Sequence, residues 1–569
     1  MPKCALALAG AVIVSGFVAL TLTPMMCSKM LKAHESHGRL YNMMEGAFNS
    51  FANGYRRILL ASLNVRFLVV LVGVGVAGAS YFLYTGLKSE LAPTEDRGTI
   101  NVFSSAPEGA TLEFADHYAQ KFEKILLETP EVEGAIVITG FPDVTQSVSF
   151  ARLKNWEDRD RKQQTVVNEL QKKLIKIAGI RAFAINRPAF GQNSRDRPIQ
   201  FVLQTTASYQ ELETYLQLMM EEARDYPGFV NLDDDLKLNK PQLDIDVNRE
   251  KAADLGIPIS VIGRTLETLL GGRQVTRFNM NGEQYDVIVQ VEDADRRTPG
   301  DLSGIYLRTP RGEMVQFSNL ASVREVVAPR ELNRFNQLRS ATITANLAPG
   351  YALGEGLVFL EEAAGRVLPP NVQTDLNGQS REFRQAGQAL YVIFLLALAF
   401  IYLVLAAQFE SFTDPLIIIL TVPLSMTGAL AALYFTGNTI NIYSQIGLIT
   451  LVGLITKHGI LIVEFANQLQ ERGMKLREAV VESAVLRLRP ILMTTGAMVL
   501  GAVPLALATG AGAESRQAIG WVIVGGMICG TILTLFVVPT TYTLLTRQRG
   551  GEAPEIMADP QKPVASPAE

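Results

Sequence analysis

Seven apolar segments dominate this sequence, and each is long enough to cross a lipid bilayer as a helix. A helix needs about 20 apolar residues to span the roughly 30 Å hydrocarbon core of a membrane. A long polar block separates the second segment from the third. The sequence therefore predicts a helical membrane bundle joined to one large aqueous portion. The segments lie near residues 5–26, 66–87, 387–406, 415–436, 442–466, 490–509 and 518–545.

Composition agrees with this mixed architecture and excludes several classes of protein. The chain is 48% hydrophobic and 19% charged, which is too apolar for an ordinary soluble enzyme and too charged for membrane helices alone. A net charge of −4 argues against a nucleic-acid binder, which needs a basic face. Three cysteines, none in the polar block, supply neither a disulfide framework nor a metal site there. His34 and His37 lie in a polar loop that indicates a solvated linker more than a metal site.

No motif in the sequence points to catalysis or to a cofactor. A phosphate-binding glycine loop ending in Gly-Lys-Ser/Thr, a Gly-X-Ser-X-Gly elbow and a His-Glu-X-X-His pair are all missing from it,. We therefore expect a protein that is not an enzyme, that binds no metal or other cofactor, and that does not use ATP directly.

Basic residues in the short connections predict the orientation of the spans. Lysines and arginines cluster in residues 27–65 and 467–489, so both connections should be cytoplasmic. The polar block then lies outside the cytoplasm, and residues 547–569 form a disordered cytoplasmic tail. Met1 would lie outside, as expected for a chain cut from a longer one. A signal peptide is the alternative, but the apolar stretch is long and basic residues follow it.

The polar block alternates between strand and helix patterns. From about residue 95 to 190 the order is βαββαβ, a split βαβ or ferredoxin-like unit. The same order begins again at residue 199, is interrupted from about 257 to 335, and resumes with SATITANL. Two α+β units, the second carrying an insertion, are predicted.

Lys457 is the most informative single residue, because it lies inside the fifth apolar segment. A charged side chain at mid-membrane costs about 2.5–3.5 kcal/mol on insertion scales, and it usually faces a partner or a water-filled path. Snorkelling is the alternative, but about nine residues separate Lys457 from the end of the segment. His458 points about 100° away from Lys457 around the helix and is expected to be a packed, neutral histidine. Glu464 is expected to lie at the membrane–water interface.

The anion that would pair with Lys457 is missing from the apolar segments. None of the other six carries an acidic residue in its core, and the nearest carboxylates fall in connections: Glu410, Asp414 and Glu514. The sequence therefore predicts that the partner comes from a segment or chain outside these 569 residues.

The helix that contains the sixth segment carries a second polar pair, one member of which precedes the apolar residues. Arg487 and Thr494 are seven residues apart and should share one helix face, with Pro490 in the first helical turn. The alternative for Arg487 and Arg489 is simple anchoring on the cytoplasmic side.

Five motifs along the sequence carry a family resemblance. They are FVALTLTPMMCSKML, ELAPTEDRG, AAQFESFTDPLIIILTVPLS, GLITKHGILIVEFANQ and RLRPILMTTGAMVLGAVPLALATGAGAESRQAIG. Together they resemble the C-terminal half of a resistance-nodulation-division (RND) efflux permease. The hydrophobe–amphiphile branch fits best, and the heavy-metal branch is the alternative.

The resemblance implies a fold class and a set of boundaries. The fold is an α-helical transmembrane bundle of about seven spans, plus periplasmic α+β ferredoxin-like porter subdomains with an inserted docking subdomain. The implied divisions are 1–27 (sixth family span), 28–65 (cytoplasmic connection), 66–88 (seventh span), 95–190 (first porter subdomain), 191–256 and 336–386 (second porter subdomain), 257–335 (docking insertion), 387–546 (eighth to twelfth spans) and 547–569 (tail).

The resemblance also implies proton antiport at the inner membrane of a Gram-negative bacterium. Lys457, Arg487 and Thr494 match the basic and supporting residues of the family's proton relay, whose two aspartates belong to the missing half. Phe141 and Phe150 match aromatic positions of the drug pocket, although packing in the core is an equal alternative for both. Ile185 stands where an aromatic residue is common.

Partners follow from the same resemblance. They are a homotrimer, a periplasmic adaptor protein, an outer-membrane channel, small hydrophobic or amphiphilic substrates, and protons. A truncated non-transporting fragment or one subunit of a split permease is the alternative function, followed by a heavy-metal exporter.

Overall fold

A computed structural model describes residues 2–30, 39–107, 109–187, 197–238, 240–328 and 331–548 of the protein. His34, His37 and residues 549–569 of the predicted disordered tail lie outside the described residues. Helix α1 (Pro2–Met30) and helix α3 (Arg66–Gly86) are both long and apolar enough to cross a membrane.

The helix between them, α2 (Arg39–Asn64), is amphipathic. Its buried residues recur at helical spacing, with Ala52, Tyr55 and Leu59 packed against the membrane bundle,. The Tyr55 hydroxyl donates a 2.7 Å hydrogen bond to the carbonyl of Leu535. The predicted connection 28–65 therefore contains a long docked helix that the charge count alone did not indicate.

The first unit of the polar block has the element order β-α-β-β-α-β. Its helices cover one face of the sheet, because alternate residues of the first strand, such as Ile100 and Val102, are fully buried against them,. The four strands are antiparallel in the order β2-β3-β1-β4. The elements are β1 (Thr99–Ser105), α4 (Leu112–Leu127), β2 (Val132–Thr139), β3 (Gln146–Leu153), α5 (Gln163–Leu174) and β4 (Arg181–Asn186).

The second unit is split by an insertion. It starts with β5 (Ile199–Thr205), α6 (Tyr209–Asp225) and β6 (Phe229–Asp234). The insertion contains short helices and paired strands, among them an exposed hairpin. Its elements are β7 (Lys240–Val247), α7 (Arg249–Asp254), α8 (Ile259–Leu266), β8 (Arg273–Met280), β9 (Glu283–Val289), β10 (Tyr306–Arg308), β11 (Met314–Gln316) and β12 (Ala321–Ala328).

The strands that flank the insertion pair with each other. The boundaries drawn from sequence put β7 in the second unit, whereas its observed antiparallel partner is β12, inside the predicted insertion. The second unit then closes its antiparallel sheet around β5 and β14. The closing elements are β13 (Arg334–Phe335), β14 (Leu338–Leu347), α9 (Leu353–Val367) and β15 (Val372–Leu376).

Five further spans complete the seven that the described residues contain, which is the number predicted. The fourth span of the chain is two helices that meet at Leu420, because the ring of Pro423 clashes with a continuous turn at Ile419. The helices are α10 (Gly378–Phe409), α11 (Thr413–Ile419), α12 (Thr421–Thr436), α13 (Ile442–Glu471), α14 (Leu476–Ala506) and α15 (Ala513–Leu545).

The placement of Pro490 in a first helical turn is wrong. α14 begins at Leu476, so Pro490 lies in the interior of the helix. The apolar segment predicted from residue 490 marks only the lipid-compatible part of a longer helix. Membrane helices tolerate an interior proline, because neighbouring groups satisfy the carbonyl that it frees.

Small residues bring α15 close to its neighbours. A Cβ atom added to Gly525 would lie 2.4 Å from the Cβ of Ala432, and one added to Gly428 would lie 2.3 Å from the Cβ of Cys529. Glycines at such contacts let helix backbones approach closely in a membrane. By contrast, α1, α3 and α10 are exposed along most of their length.

Candidate functional site

Lys457 lies near the middle of α13, on a face that no other helix of the described residues covers. Thr450, Gly453 and Lys457 are exposed and follow one another at helical spacing, whereas His458 and Ile455 are buried in the bundle. Within the described residues, neither a hydrogen bond nor an ion pair joins Lys457 to another side chain. The ammonium group therefore stands on an open stripe of the bundle, without an anion from the described part of the chain.

Arg487 and Thr494 lie on α14, the helix beside α13. Both are half-buried. The Arg487 guanidinium stacks over the ring of Phe465 at 4.6 Å, and its Nε atom is buried without a hydrogen-bond partner in the described residues. The Thr494 hydroxyl donates to the carbonyl of Ile491 at 3.0 Å. The structure thus brings the three predicted residues onto adjacent helices, but no direct bond links them.

Arg489 has a different position from Arg487. Its guanidinium forms an ion pair with Glu45 of α2 at 2.9 Å and stacks over Phe48 at 4.3 Å. These contacts attach α2 to α14. The alternative for both arginines was simple anchoring on the cytoplasmic side. That alternative describes the contacts of Arg489 better than those of Arg487.

His458 is fully buried where α13, α14 and α15 meet. Its Nε2 lies 3.3 Å from the hydroxyl of Thr495 and its Nδ1 lies 3.4 Å from that of Thr531. The two hydroxyls are 3.2 Å apart. The burial of His458 confirms the packed position predicted from the sequence. Its contacts with two threonines on separate helices were not predicted. No pattern within one helix could have revealed them.

Asp414 also differs from its predicted setting. The sequence placed it in a connection, whereas it is fully buried in the first turn of α11. Its Oδ2 accepts a 3.1 Å hydrogen bond from Asn467, which is also bonded to Tyr542. The predicted segment began at Pro415, two residues after the first residue of α11, Thr413. Asn467 is ten residues from Lys457, about 15 Å along the helix, so this carboxylate is not the missing anion.

The predicted pocket residues lie on the open face of the first sheet or in its loop. Phe150 is directly opposite Asn101 on β1, and Asn101 is directly opposite Ile185 on β4. Paired residues point to the same side of a sheet, so Phe150 and Ile185 share the face that α4 and α5 leave uncovered. Phe150 is 40% exposed, and Phe141, in the β2–β3 loop, is 55% exposed. The fully buried core alternative therefore fits neither phenylalanine.

Asn101 is a polar residue of this face that the sequence analysis missed. It is 1% exposed, and neither polar atom of its carboxamide has a hydrogen-bond partner in the described residues. It lies between Phe150 and Ile185 in the strand register. Because Asn101 alternates with the buried Ile100 and Val102, its side chain is expected on the sheet face away from the helices. Nothing in the sequence indicates that its carboxamide would lack a hydrogen-bond partner.

A buried acidic segment, Glu95 and Asp96, joins the first unit to the membrane bundle. The Glu95 carboxylate accepts a hydrogen bond from Ser515 at the start of α15. Asp96 accepts bonds from Arg159 at 3.0 Å and from the backbone amide of Gln163 at 2.9 Å. Burial alone would raise the pKa of Asp96, but the bonds from Arg159 and Gln163 outweigh it and hold that pKa below its usual value,. This segment therefore connects the start of β1 to the start of α15 through a side-chain hydrogen bond.

Comparison with known proteins covers almost the whole chain. Residues 2–546 match the family model described as the AcrB/AcrD/AcrF family. An uncharacterized transporter of Haemophilus influenzae is 40% identical over 96% of this chain and 53% of the relative. The multidrug/solvent efflux pump membrane transporter MepB of Pseudomonas putida is 31% identical over 96% of the chain and 54% of the relative.

The toluene efflux pump membrane transporter TtgB of Pseudomonas putida shows the same identity and coverage as MepB. The chain therefore spans about half the length of the curated relatives that it matches. Sequence similarity runs through both the membrane helices and the polar block, because the matched region includes all of them.

Proposed function

The chain belongs to the AcrB/AcrD/AcrF family of RND efflux transporters, and from that premise we propose that it is the C-terminal half of a proton-driven drug efflux permease. The observation that carries the proposal is Lys457. It lies at the middle of a span, on an open stripe, with no anion among the described residues. A protein that used this lysine only for packing would have covered or paired it.

The missing anion comes from the N-terminal half in this proposal. Two carboxylates on a facing span bind and release protons, and Lys457 stabilises them when they are ionised. Thr494 and Arg487 form the other side of the site, on α14, which packs beside α13. When the carboxylates take up protons, the attraction for the ammonium group falls and Lys457 moves toward Thr494.

This movement reaches the polar block through covalent and hydrogen-bonded links. α10 begins two residues after β15, and Arg381 in its first turns pairs with Asp375 of that strand at 3.2 Å. The Glu95–Ser515 bond ties α15 to the first unit. Motion of α10 and α15 therefore changes the relation between the two α+β units, which act as porter subdomains.

Substrates bind on the open face of the first porter subdomain. Its apolar surface carries Phe141, Phe150 and Ile185, which suits small hydrophobic or amphiphilic molecules. The two Pseudomonas putida relatives, a multidrug/solvent efflux pump and a toluene efflux pump, agree with such substrates. The insertion between β7 and β12 is the docking subdomain.

The assembly follows the family pattern. The protein works in the inner membrane of a Gram-negative bacterium as a homotrimer, with the porter and docking subdomains in the periplasm and the C-terminus in the cytoplasm. A periplasmic adaptor protein and an outer-membrane channel complete the export path.

Three alternatives remain distinct from this proposal. A truncated non-transporting fragment, or one subunit of a split permease, would also leave Lys457 without an anion in this chain. A heavy-metal exporter would instead need soft ligands along its path. A C-terminal tag on the chromosomal gene separates the first two from a full-length permease, because the tagged band would lie near 62.2 kDa or near twice that mass.

Replacement of Lys457 by alanine tests the proposed function. The variant is made at the chromosomal gene, so that the chain keeps its native partners, and efflux of ethidium from preloaded cells is measured. We expect Lys457→Ala to abolish efflux, because the carboxylates lose their counter-charge. Lys475→Ala removes the same charge from an exposed position at the start of α14 and should leave efflux unchanged. Equal efflux in wild type and Lys457→Ala would refute the proposal.

A further inference from the structure

We propose that His458, Thr495 and Thr531 form a polar joint that fixes the rotation of α13 and so positions Lys457 for the relay. This inference rests on the proposed function. His458 acts here as a positioning residue and carries no proton in transport. The joint is the contact of these three side chains, one from each of α13, α14 and α15.

The joint can engage both nitrogens of a neutral imidazole, which has one N–H donor and one acceptor nitrogen. The Thr531 hydroxyl donates to the carbonyl of Met527 at 2.6 Å, so toward the joint it can only accept. Nδ1–H then donates to Thr531 and the Thr495 hydroxyl donates to Nε2. The 3.2 Å approach of the two hydroxyls is a contact without a proton of its own.

The sequence couples this joint to the relay on both helices. Lys457 and His458 are consecutive on α13, and Thr494 and Thr495 are consecutive on α14. Consecutive residues lie about 100° apart around a helix of 3.6 residues per turn. On each helix, one residue therefore belongs to the proposed relay and the next to the joint. A rotation of α13 that shifts Lys457 must also move His458 against Thr495 and Thr531.

Rotation is the movement that the joint can control, because the packing already limits approach. The position of a Cβ on Gly459 would be 3.1 Å from the Cγ2 of Ile418, so α13 lies close to α11 beside the joint. The imidazole is 0% exposed and contacts side chains from two other helices. An apolar side chain of similar size would fill the space but would not select one rotation.

α15 supplies a matched control one turn from the joint. Thr534 is fully buried, as Thr531 is, but its hydroxyl has no hydrogen-bond partner among the described residues. Replacing either threonine by valine keeps the side-chain shape and removes only the hydroxyl. The pair therefore separates the loss of the joint from the general effect of a less polar core.

The transport test compares variants made at the chromosomal gene, with the initial rate of ethidium efflux measured against substrate concentration. His458→Leu and Thr531→Val should lower the maximal rate about tenfold, the rate equivalent of one buried hydrogen bond, with KM unchanged. His458→Asn should restore most of the rate, because its amide occupies the position of Nδ1 and keeps the contact with Thr531. Thr534→Val should match wild type.

The amount of each variant in the membrane is measured in parallel, and equal amounts show that the rate changes do not come from misfolding. Wild-type rates in both His458→Leu and Thr531→Val would overturn the proposal, as would equal losses in Thr531→Val and Thr534→Val. Lys457→Ala keeps the two hypotheses apart. If it transports normally, the proposed function fails; if it is inactive while His458→Leu is normal, only the joint fails.

A second measurement tests the joint without transport. The full chain is labelled with 15N-histidine, placed in lipid bilayers and studied by solid-state NMR, and the signals lost in His458→Asn are assigned to His458. Thr495→Val should shift the Nε2 signal and Thr531→Val the Nδ1 signal, whereas Thr534→Val should shift neither. Unchanged His458 signals in both joint variants would overturn the proposal.

Discussion

Close packing of α15 against α12 predicts that Gly525→Ala destabilises the bundle. The added Cβ would lie 2.4 Å from the Cβ of Ala432 and 2.7 Å from the carbonyl oxygen of Gly428. Carbon atoms in contact prefer about 3.5–4.0 Å, so the two helices must separate locally by about 1 Å or more. Overpacking of this kind costs about 1–3 kcal/mol. The better helix propensity of alanine returns about 0.5–1 kcal/mol, so the net loss of stability is at most about 2.5 kcal/mol.

Gly501→Ala on α14 is the control for this prediction. Gly501 is exposed, and an added Cβ would have no atom within 4 Å, so the helix propensity of alanine should raise stability slightly. The assay is thermal unfolding of the purified chain in detergent, followed by the fraction that remains monodisperse in size-exclusion chromatography. We expect a lower Tm for Gly525→Ala and an equal or higher Tm for Gly501→Ala. A Tm of Gly525→Ala at or above that of wild type would refute the close packing of α12 and α15.

Two further predictions concern the links between the bundle and its surroundings. The pKa of Asp96 is lowered in the fold, so its ionised form stabilises the protein above the unfolded pKa, and this contribution is lost as the pH falls through the folded pKa. Asp96→Asn should therefore have a lower Tm than wild type at pH 7, and the difference in Tm should narrow toward pH 3. A difference in Tm that does not change with pH would contradict this. Tyr55→Phe removes a buried hydrogen bond to Leu535 and should cost about 0.5–1.5 kcal/mol in the same unfolding assay, whereas an unchanged Tm would show that α2 is held by apolar contacts alone.

The number of spans could be predicted from sequence because length and apolar composition are local properties. The order of strands and helices in the first unit could also be predicted, since strand alternation and helix periodicity are visible within each element. The ends of the helices were harder to predict from the sequence. α14 continues through a polar stretch before Pro490, and a hydropathy pattern detects only the part of a helix that matches the hydrocarbon core.

Features that depend on contacts between distant residues could not be derived from the sequence. The pairing of β7 with β12 joins strands that are about 80 residues apart, and nothing within either strand selects its partner. The same holds for His458, whose two threonine partners belong to other helices. It also holds for Asp414, which lay just outside the predicted segment 415–436 and was therefore placed in a connection. Lys457 could be singled out because its charge contradicts its own apolar surroundings. The roles of Lys457, Arg487 and Thr494 in a proton relay stay predictions.

The group that faces Lys457 can be identified by photo-crosslinking in native membranes. A photo-crosslinking amino acid at Gly453, which is exposed on the same stripe one turn away, leaves Lys457 intact. After illumination of native membranes, mass spectrometry identifies the crosslinked peptide. We expect a peptide from a membrane segment that carries aspartate or glutamate and lies outside these 569 residues. Adducts with lipid alone, or with peptides of the described part of this chain, would contradict it.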